Sequence, residues 1–399
     1  SERNLRELFF PPFEAAIKEA NALSVMASYN EIGGVPSHTN RWMLHDVLRE
    51  EWGFDGVVVA DWTAISQLVT QHHVAADTAA AARQALDATV DIDLPDGNSY
   101  PTLLRQVQNG VVSEAAIDRA VRRLLRAKFR LGLFEDPYVN PDRAAEIAGA
   151  ASQRDLALEA AQQGITLLKN EDNLLPLNPD AYEDIAVIGP HAAAVLLGGY
   201  ASRPRHTVSI YQGVQEELGD DASVEYAEGV RITEDSVFTD EPQPHMGGER
   251  SRARNSAHKV VRADSAANEA RIREAVALAR QSDLAIVAVG GNEHTAREGY
   301  AENHLGDRTS LDLVGPQERL VRAVQGTGTK TVTVLNHGRP AAIPDLVADV
   351  PALLETWYLG QETGRAVADA LFGEINPSGH LPVTIPRSIG QLPLFYNHK

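Results

Sequence analysis

Cysteine is absent from the 399 residues. That excludes a disulfide framework, a zinc–thiolate centre and a thiol nucleophile. Positive charge is scarce: 36 Lys and Arg stand against 55 Asp and Glu, a net charge of −19. A chain of this sign repels phosphate backbones and anionic lipid, so neither nucleic acid nor a membrane surface is an expected partner. No apolar run reaches the 18 or so residues that a membrane-spanning helix needs. The opening SERNLRELFFPPFEAAIKEA has no apolar signal-peptide core. G-x-G-x-x-G, Walker A, H-E-x-x-H and G-x-S-x-G motifs are all missing, which argues against nucleotide, zinc-protease and serine-hydrolase chemistry. The stretch VIGPHAAAVLLGG (187–199) only superficially resembles a dinucleotide loop. His72–His73 and His294 lack metal-ligand spacing, so no metal and no cofactor are expected.

What is present is apolar material in an α/β rhythm. Hydrophobic residues make up 43% of the chain, and its length exceeds what one core usually supports, so two domains are expected. Leu5, Leu8, Phe9, Phe13 and Ile17 fall at helical spacing and predict an opening amphipathic helix. Strand-like runs follow at 23–29, at GVVVAD and at 89–95, separated by helical patterns, which implies a parallel sheet. After the proline-bearing EDPYVNPDR, a second alternation runs through ITLLKN, DIAVIGP, LAIVAVGG, TVTVLNHG and ALLETWY, an open sheet of about five or six strands. Residues 239–265 read as a long polar loop or insertion.

A closed barrel takes eight βα units in about 250 residues. Only three strands precede EDPYVNPDR. Three parallel strands alone would leave open edges, so either the first domain is something smaller or this chain lacks an N-terminal portion, and the opening straight onto a helix favours the second.

The chemistry points to FDGVVVADWTAI (54–65). Val57, Val58 and Val59 predict a strand buried on both faces, and it ends on Asp61 and Trp62. The carboxyl end of a parallel strand is where α/β folds place reacting groups. Asp61 therefore reads as a nucleophile or base, or alternatively as a cap of the next helix. Trp62 offers a flat face for a sugar ring. Asp91 and Asp93 could line the same cleft, or cap the helix that follows. Met26 reads as core and Tyr29 as a surface phenol. A second acidic group would come from the loop 290–313, which carries Glu293, Glu298, Glu302, Asp307, Arg297 and Arg308 after a predicted strand. Two carboxyl groups flanking a cleft, here one between domains, are the equipment of glycoside hydrolysis.

VMASYNEIGGVPSHTN, MLHDVLREEWGFDG, VVVADW, ATVDIDLP, VRRLLRAKFRLGLFEDPY, AQQGITLLKNEDNLLPL, GDRTSLDLVGPQERLV and ETWYLGQETGRAVADALFGEINPSGHLPVTIP occur in this order. Together they resemble family 3 glycoside hydrolases along nearly the whole chain. The resemblance implies the C-terminal part of a (β/α)8 TIM-like barrel over 1–134, a linker at 135–152 and a mostly parallel α/β sandwich over 153–399. It implies a retaining β-glycosidase acting on terminal non-reducing β-D-glucosyl residues of an oligosaccharide or β-glucoside. The expected alternatives are a β-xylosidase, an exo-β-glucanase or a non-catalytic, assembly-dependent fragment. By the same resemblance Asp61 is the nucleophile, and Glu298, preferred over Glu302 and Glu293, is the acid/base. Trp62, Met26 and Tyr29 contact the sugar, and the location is periplasmic or secreted. Ala60 stands where the family commonly has serine. The family's upstream sugar-gripping residues, and a segment continuing beyond a Y-N-H-K-like stretch, have no counterpart in these residues.

Overall fold

The computed structural model describes residues 1–399 apart from 96, 199–200, 202–203, 235–259, 297–304 and 396–399. Most of the polar stretch 239–265 therefore lies outside the described residues. The chain divides into two units, Ser1–Val139 and Asn140–Lys399. The stretch expected as linker contains a short helix, Pro141–Ile147.

In the first unit, β1 (Ser24–Met26), β4 (Val57–Trp62) and β5 (Ile92–Leu94) form a parallel sheet in the order β1–β4–β5. A two-stranded hairpin, β2 (Glu31–Ile32) and β3 (Val35–Pro36), follows β1. Val58 and Ala60 are wholly buried, packed with Leu44, Leu48, Ile65 and Leu68 from the flanking helices. This core explains why the valine run forms the central strand. The opening helix departs from its predicted face. Phe9 and Phe13 are exposed, while Phe10 is buried against Trp52, with ring centroids 5.4 Å apart and the rings edge-on. The Phe10–Trp42–Trp52 contact, invisible to a helical count, rotates the helix away from the stripe.

The second unit holds six strands: β6 (Thr166–Asn170), β7 (Asp184–Ile188), β8 (Ser223–Ala227), β9 (Leu284–Gly290), β10 (Lys330–Asn336) and β11 (Ala352–Glu355). Their order is β6–β11–β10–β9–β7–β8, with only β6 antiparallel. Every residue of β9 is buried. Leu284, Ile286 and Ala288 face the helices 151–164, 210–218 and 363–372, while Ala285, Val287 and Val289 face 265–279, 317–325 and 344–349. This is an α/β sandwich, covered on both sides as parallel sheets require.

Two glycines allow the strand ends to approach. A Cβ on Gly189, in the GPHA stretch, would lie 2.0 Å from the Ala288 carbonyl oxygen, and one on Gly290 would lie 1.9 Å from that of Asn336. Both residues have positive φ, 123° and 154°. The GPHA glycine thus serves strand packing. Gly290→Ala should cost about 2–3 kcal/mol through overpacking against main chain that cannot yield. Urea unfolding followed by far-UV circular dichroism would check this; a loss below about 1 kcal/mol would contradict the steric account.

Candidate active site

Asp61 sits where β4 departs from regular pairing. Val59 pairs with Ile92 and Trp62 with Leu94, so three steps along β4 match two along β5. The extra residue makes a bulge, which bends the strand and re-aims the side chains at its end. Beyond it, Thr63 takes a left-handed conformation at φ 58°, held by its N–H donating to the Leu94 carbonyl at 2.9 Å. A β-branched residue there is strained by about 1–3 kcal/mol, a cost concentrated at functional sites.

The capping alternative for Asp61 is not what the geometry presents. The helix Ala64–Thr70 starts after Thr63 and has no side-chain cap. Asp61 Oδ1 instead accepts the N–H of the adjacent Trp62 at 2.6 Å. The Asp61 N–H donates to Nε2 of the buried His38 at 3.1 Å. Tyr29 donates its hydroxyl to the Trp62 carbonyl at 2.6 Å, so its hydroxyl bonds the main chain next to Asp61. Met26 is 57% exposed at the end of β1, not in the core. Asp61 and Trp62 are both partly exposed.

The neighbouring acids are occupied differently. Asp91 is paired with Arg49 and Arg123, each at 2.8 Å, and its side chain is almost fully buried. Asp93 accepts the N–H groups of Ser99 and Tyr100 at 2.7 and 3.2 Å, fixing the turn before the helix Thr102–Gln108. Neither is left to line a cleft. Their burial and main-chain bonding assign them to structure.

In the second unit, Glu293 opens the short helix Glu293–Ala296 directly after β9. Arg297, Glu298 and Glu302 lie outside the described residues. Asp307 is exposed, with φ 46°. Arg308 lines a cavity of about 20 Å³ with Gly290, Thr295, Asp312, His337 and Arg339. That volume holds roughly one water, too little for a sugar ring. Burial lowers the Arg308 pKa, and Arg339 and Arg262 push the same way. His337 Nε2 lies 2.8 Å from Glu355 Oε2, and Glu355 Oε1 accepts the Trp357 N–H at 3.0 Å, a buried polar knot at the ends of β10 and β11. Sequence reasoning missed this pair, as it missed His38. His72, read only for metal spacing, pairs with Glu31 at 2.8 Å. Among the described residues no cluster of three His, Asp or Glu side chains is arranged to hold a metal, and no helix is long and apolar enough to cross a membrane.

The profile described as Glycosyl hydrolase family 3 N terminal domain matches residues 1–127, and that described as Glycosyl hydrolase family 3 C-terminal domain matches 165–399. The chain belongs to glycosyl hydrolase family 3. It is 38% identical to a β-xylosidase of Formosa agariphila over 99% of this chain and 52% of that protein. It is 35% identical to a periplasmic β-glucosidase of Salmonella typhimurium over 100% of this chain and 50% of that protein. A solved β-glucosidase from Erythrobacter marinus superposes with a TM-score of 0.88 at 42% identity, covering 97% of this chain and 50% of that one. The chain thus spans about half the length of these family 3 relatives. The family likeness runs through both units, and the βα arc followed by a mostly parallel sandwich is the α/β fold that the resemblance implied.

Proposed function

We propose that the protein containing this chain is a retaining β-glycosidase that releases terminal non-reducing β-D-glucosyl residues, with Asp61 as nucleophile and Glu298 as acid/base. The observation that carries this reading is Asp61 at the bulged end of a buried parallel strand, consumed neither by helix capping nor by an ion pair among the described residues. With Oδ1 held by the Trp62 N–H, Oδ2 attacks the anomeric carbon. The bond to the leaving oxygen breaks as Glu298 gives that oxygen its proton. In the second half, the Glu298 carboxylate takes a proton from water, the water oxygen attacks the same carbon, and the bond to Asp61 breaks. Two inversions give net retention, and the two carboxyls must come within about 5–5.5 Å when the sugar is engaged. Trp62 supplies a stacking face. Met26 and Tyr29, at the end of β1 beside it, complete the wall against the sugar.

The partner segment belongs to the same reading. The outer edge of β1 has no strand beside it among the described residues, and Phe9 and Phe13 are exposed nearby in the sequence. Further βα units, of the kind that the relatives' remaining length could supply, would cover these surfaces.

A β-xylosidase is the second reading, favoured by the 38% identity to the Formosa agariphila enzyme. Glucose and xylose differ only by the hydroxymethyl group at C5. The full protein should hydrolyse 4-nitrophenyl β-glucoside with a higher kcat/KM than the β-xyloside, and proton NMR should show the β-anomer of the sugar appearing first. A reversed preference would select the xylosidase. Initial release of the α-anomer, or no hydrolysis of either glycoside, would remove the retaining mechanism.

A further inference from the structure

We propose that His38 is a positioning residue for Asp61: it ties the carboxyl end of β4 to the loop after β1 and holds the bulged main chain in its attacking geometry. This rests on the reading of Asp61 as the nucleophile.

His38 is 2% exposed, in the turn Ser37–Thr39 that follows the hairpin β2–β3. Its Nε2 receives the Asp61 N–H at 3.1 Å. The Ser28 backbone lies close enough to the ring to favour its protonated form slightly. A neutral imidazole that accepts an N–H at Nε2 carries its own proton on Nδ1, so the Asp61 contact selects the Nδ1–H tautomer. Burial draws the His38 pKa down to about 4, against the attraction of Asp61 and with the repulsion of His72, so the ring is neutral near pH 7.

The turn that carries His38 is itself fixed. Ser37 donates its hydroxyl to the Asn30 carbonyl at 2.8 Å and its N–H to the same oxygen at 3.1 Å, and the Ser28 hydroxyl reaches Ser37 Oγ at 3.2 Å. Within β4, the Asp61 N–H falls in the stretch where pairing with β5 is interrupted. A half-buried N–H outside the strand ladder gains from another acceptor, and the imidazole is that acceptor. Together with the Tyr29 hydroxyl on the Trp62 carbonyl, His38 brackets the nucleophile from both sides with main-chain bonds. Its carboxylate then keeps a fixed direction without His38 itself touching the sugar.

The experiment compares His38→Gln, whose amide oxygen can reach the same N–H, with His38→Met, which has similar length and no comparable acceptor. In the full protein, the rate of covalent trapping by a 2-deoxy-2-fluoro-β-glucoside with a good leaving group reports the Asp61 attack, and peptide mass spectrometry locates the label. His38→Met should trap roughly 10–100-fold more slowly, with KM for 4-nitrophenyl β-glucoside nearly unchanged, because a small misplacement of a reacting atom costs up to about 10²-fold. His38→Gln should recover most of the rate. Hydrogen exchange of the peptide spanning 57–62 gives the same comparison without turnover: faster for Met than for Gln. Equal trapping rates in both variants and the parent, or a Gln variant no better than Met in both assays, overturns the role of His38 while leaving Asp61 in place. A parent protein labelled on a residue other than Asp61 overturns both.

Discussion

Replacing Asp61 by asparagine should lower kcat on an aryl β-glucoside by at least about 10³-fold, a loss of roughly 4 kcal/mol in transition-state stabilisation. The size follows from what the substitution keeps. Asparagine has the same shape, and its Oδ1 can still accept the Trp62 N–H that now reaches Asp61 at 2.6 Å. The Asp61 N–H can still donate to His38. The bulge, the left-handed Thr63 and the buried valines have no reason to move, so stability should stay within about 0.5 kcal/mol of the parent. What is lost is the charged oxygen proposed to form the bond to the anomeric carbon, and an amide oxygen is a far weaker nucleophile. KM should change little, because the groups proposed to touch the sugar remain. Steady-state kinetics with thermal unfolding as the folding control would test this. A folded variant with kcat within tenfold of the parent would remove Asp61 as nucleophile.

The strand that carries this residue was legible because burial on both faces leaves a plain mark: Val57, Val58 and Val59 in a row. The central strands β7, β9 and β10 were legible for the same reason. β8, with the sequence SVEYA, was not, because as an edge strand it leaves Ser223, Glu225 and Tyr226 exposed and shows no apolar run. The opening helix was legible as a helix but not in its buried face, since the two tryptophans that capture Phe10 lie more than 30 positions away. Pairing register is likewise a property of two strands at once, so the bulge that turns Asp61 outward left no trace in VVVADW. His38 sat inside a quoted motif, VPSHTN, without a chemical signal, because its role depends on a main-chain N–H 23 residues later. Asp61 and Trp62 could be argued from strand position. Glu298 rested on family resemblance alone, because several acids share its loop and none is distinguished by spacing.

The second large effect is expected on stability. Asp91→Ala should destabilise the first unit by about 3–5 kcal/mol, the cost of leaving a buried charge without its partner. That charge belongs to Arg49, whose side chain is 6% exposed. Its fork is fully used: Nε donates to Thr89 Oγ1 at 3.0 Å, one terminal nitrogen to the carbonyls of Phe54 and Gly56 at 3.3 and 3.0 Å, and the other to the Thr89 carbonyl at 3.2 Å and Asp91 at 2.8 Å. Burial lowers the Arg49 pKa to about 10 and Asp91 opposes that fall, so the guanidinium is cationic at neutral pH. Asp91 also takes the Val58 N–H at 2.9 Å on the same oxygen and Arg123 on the other. Alanine would therefore strand a strand N–H as well as the cation. Arg49→Lys should not be conservative, since one ammonium cannot serve five acceptors spread around a planar fork. Converting both partners, Arg49→Met with Asp91→Leu, should recover part of the loss, because an apolar pair leaves no buried charge behind. Trp42, Trp52 and Trp62 lie in the first unit and only Trp357 in the second, so tryptophan fluorescence during urea unfolding reports chiefly on the affected unit. A shift below about 1 kcal/mol for Asp91→Ala, or a double variant weaker than the single, would show that the pair does not hold β4 and β5 together.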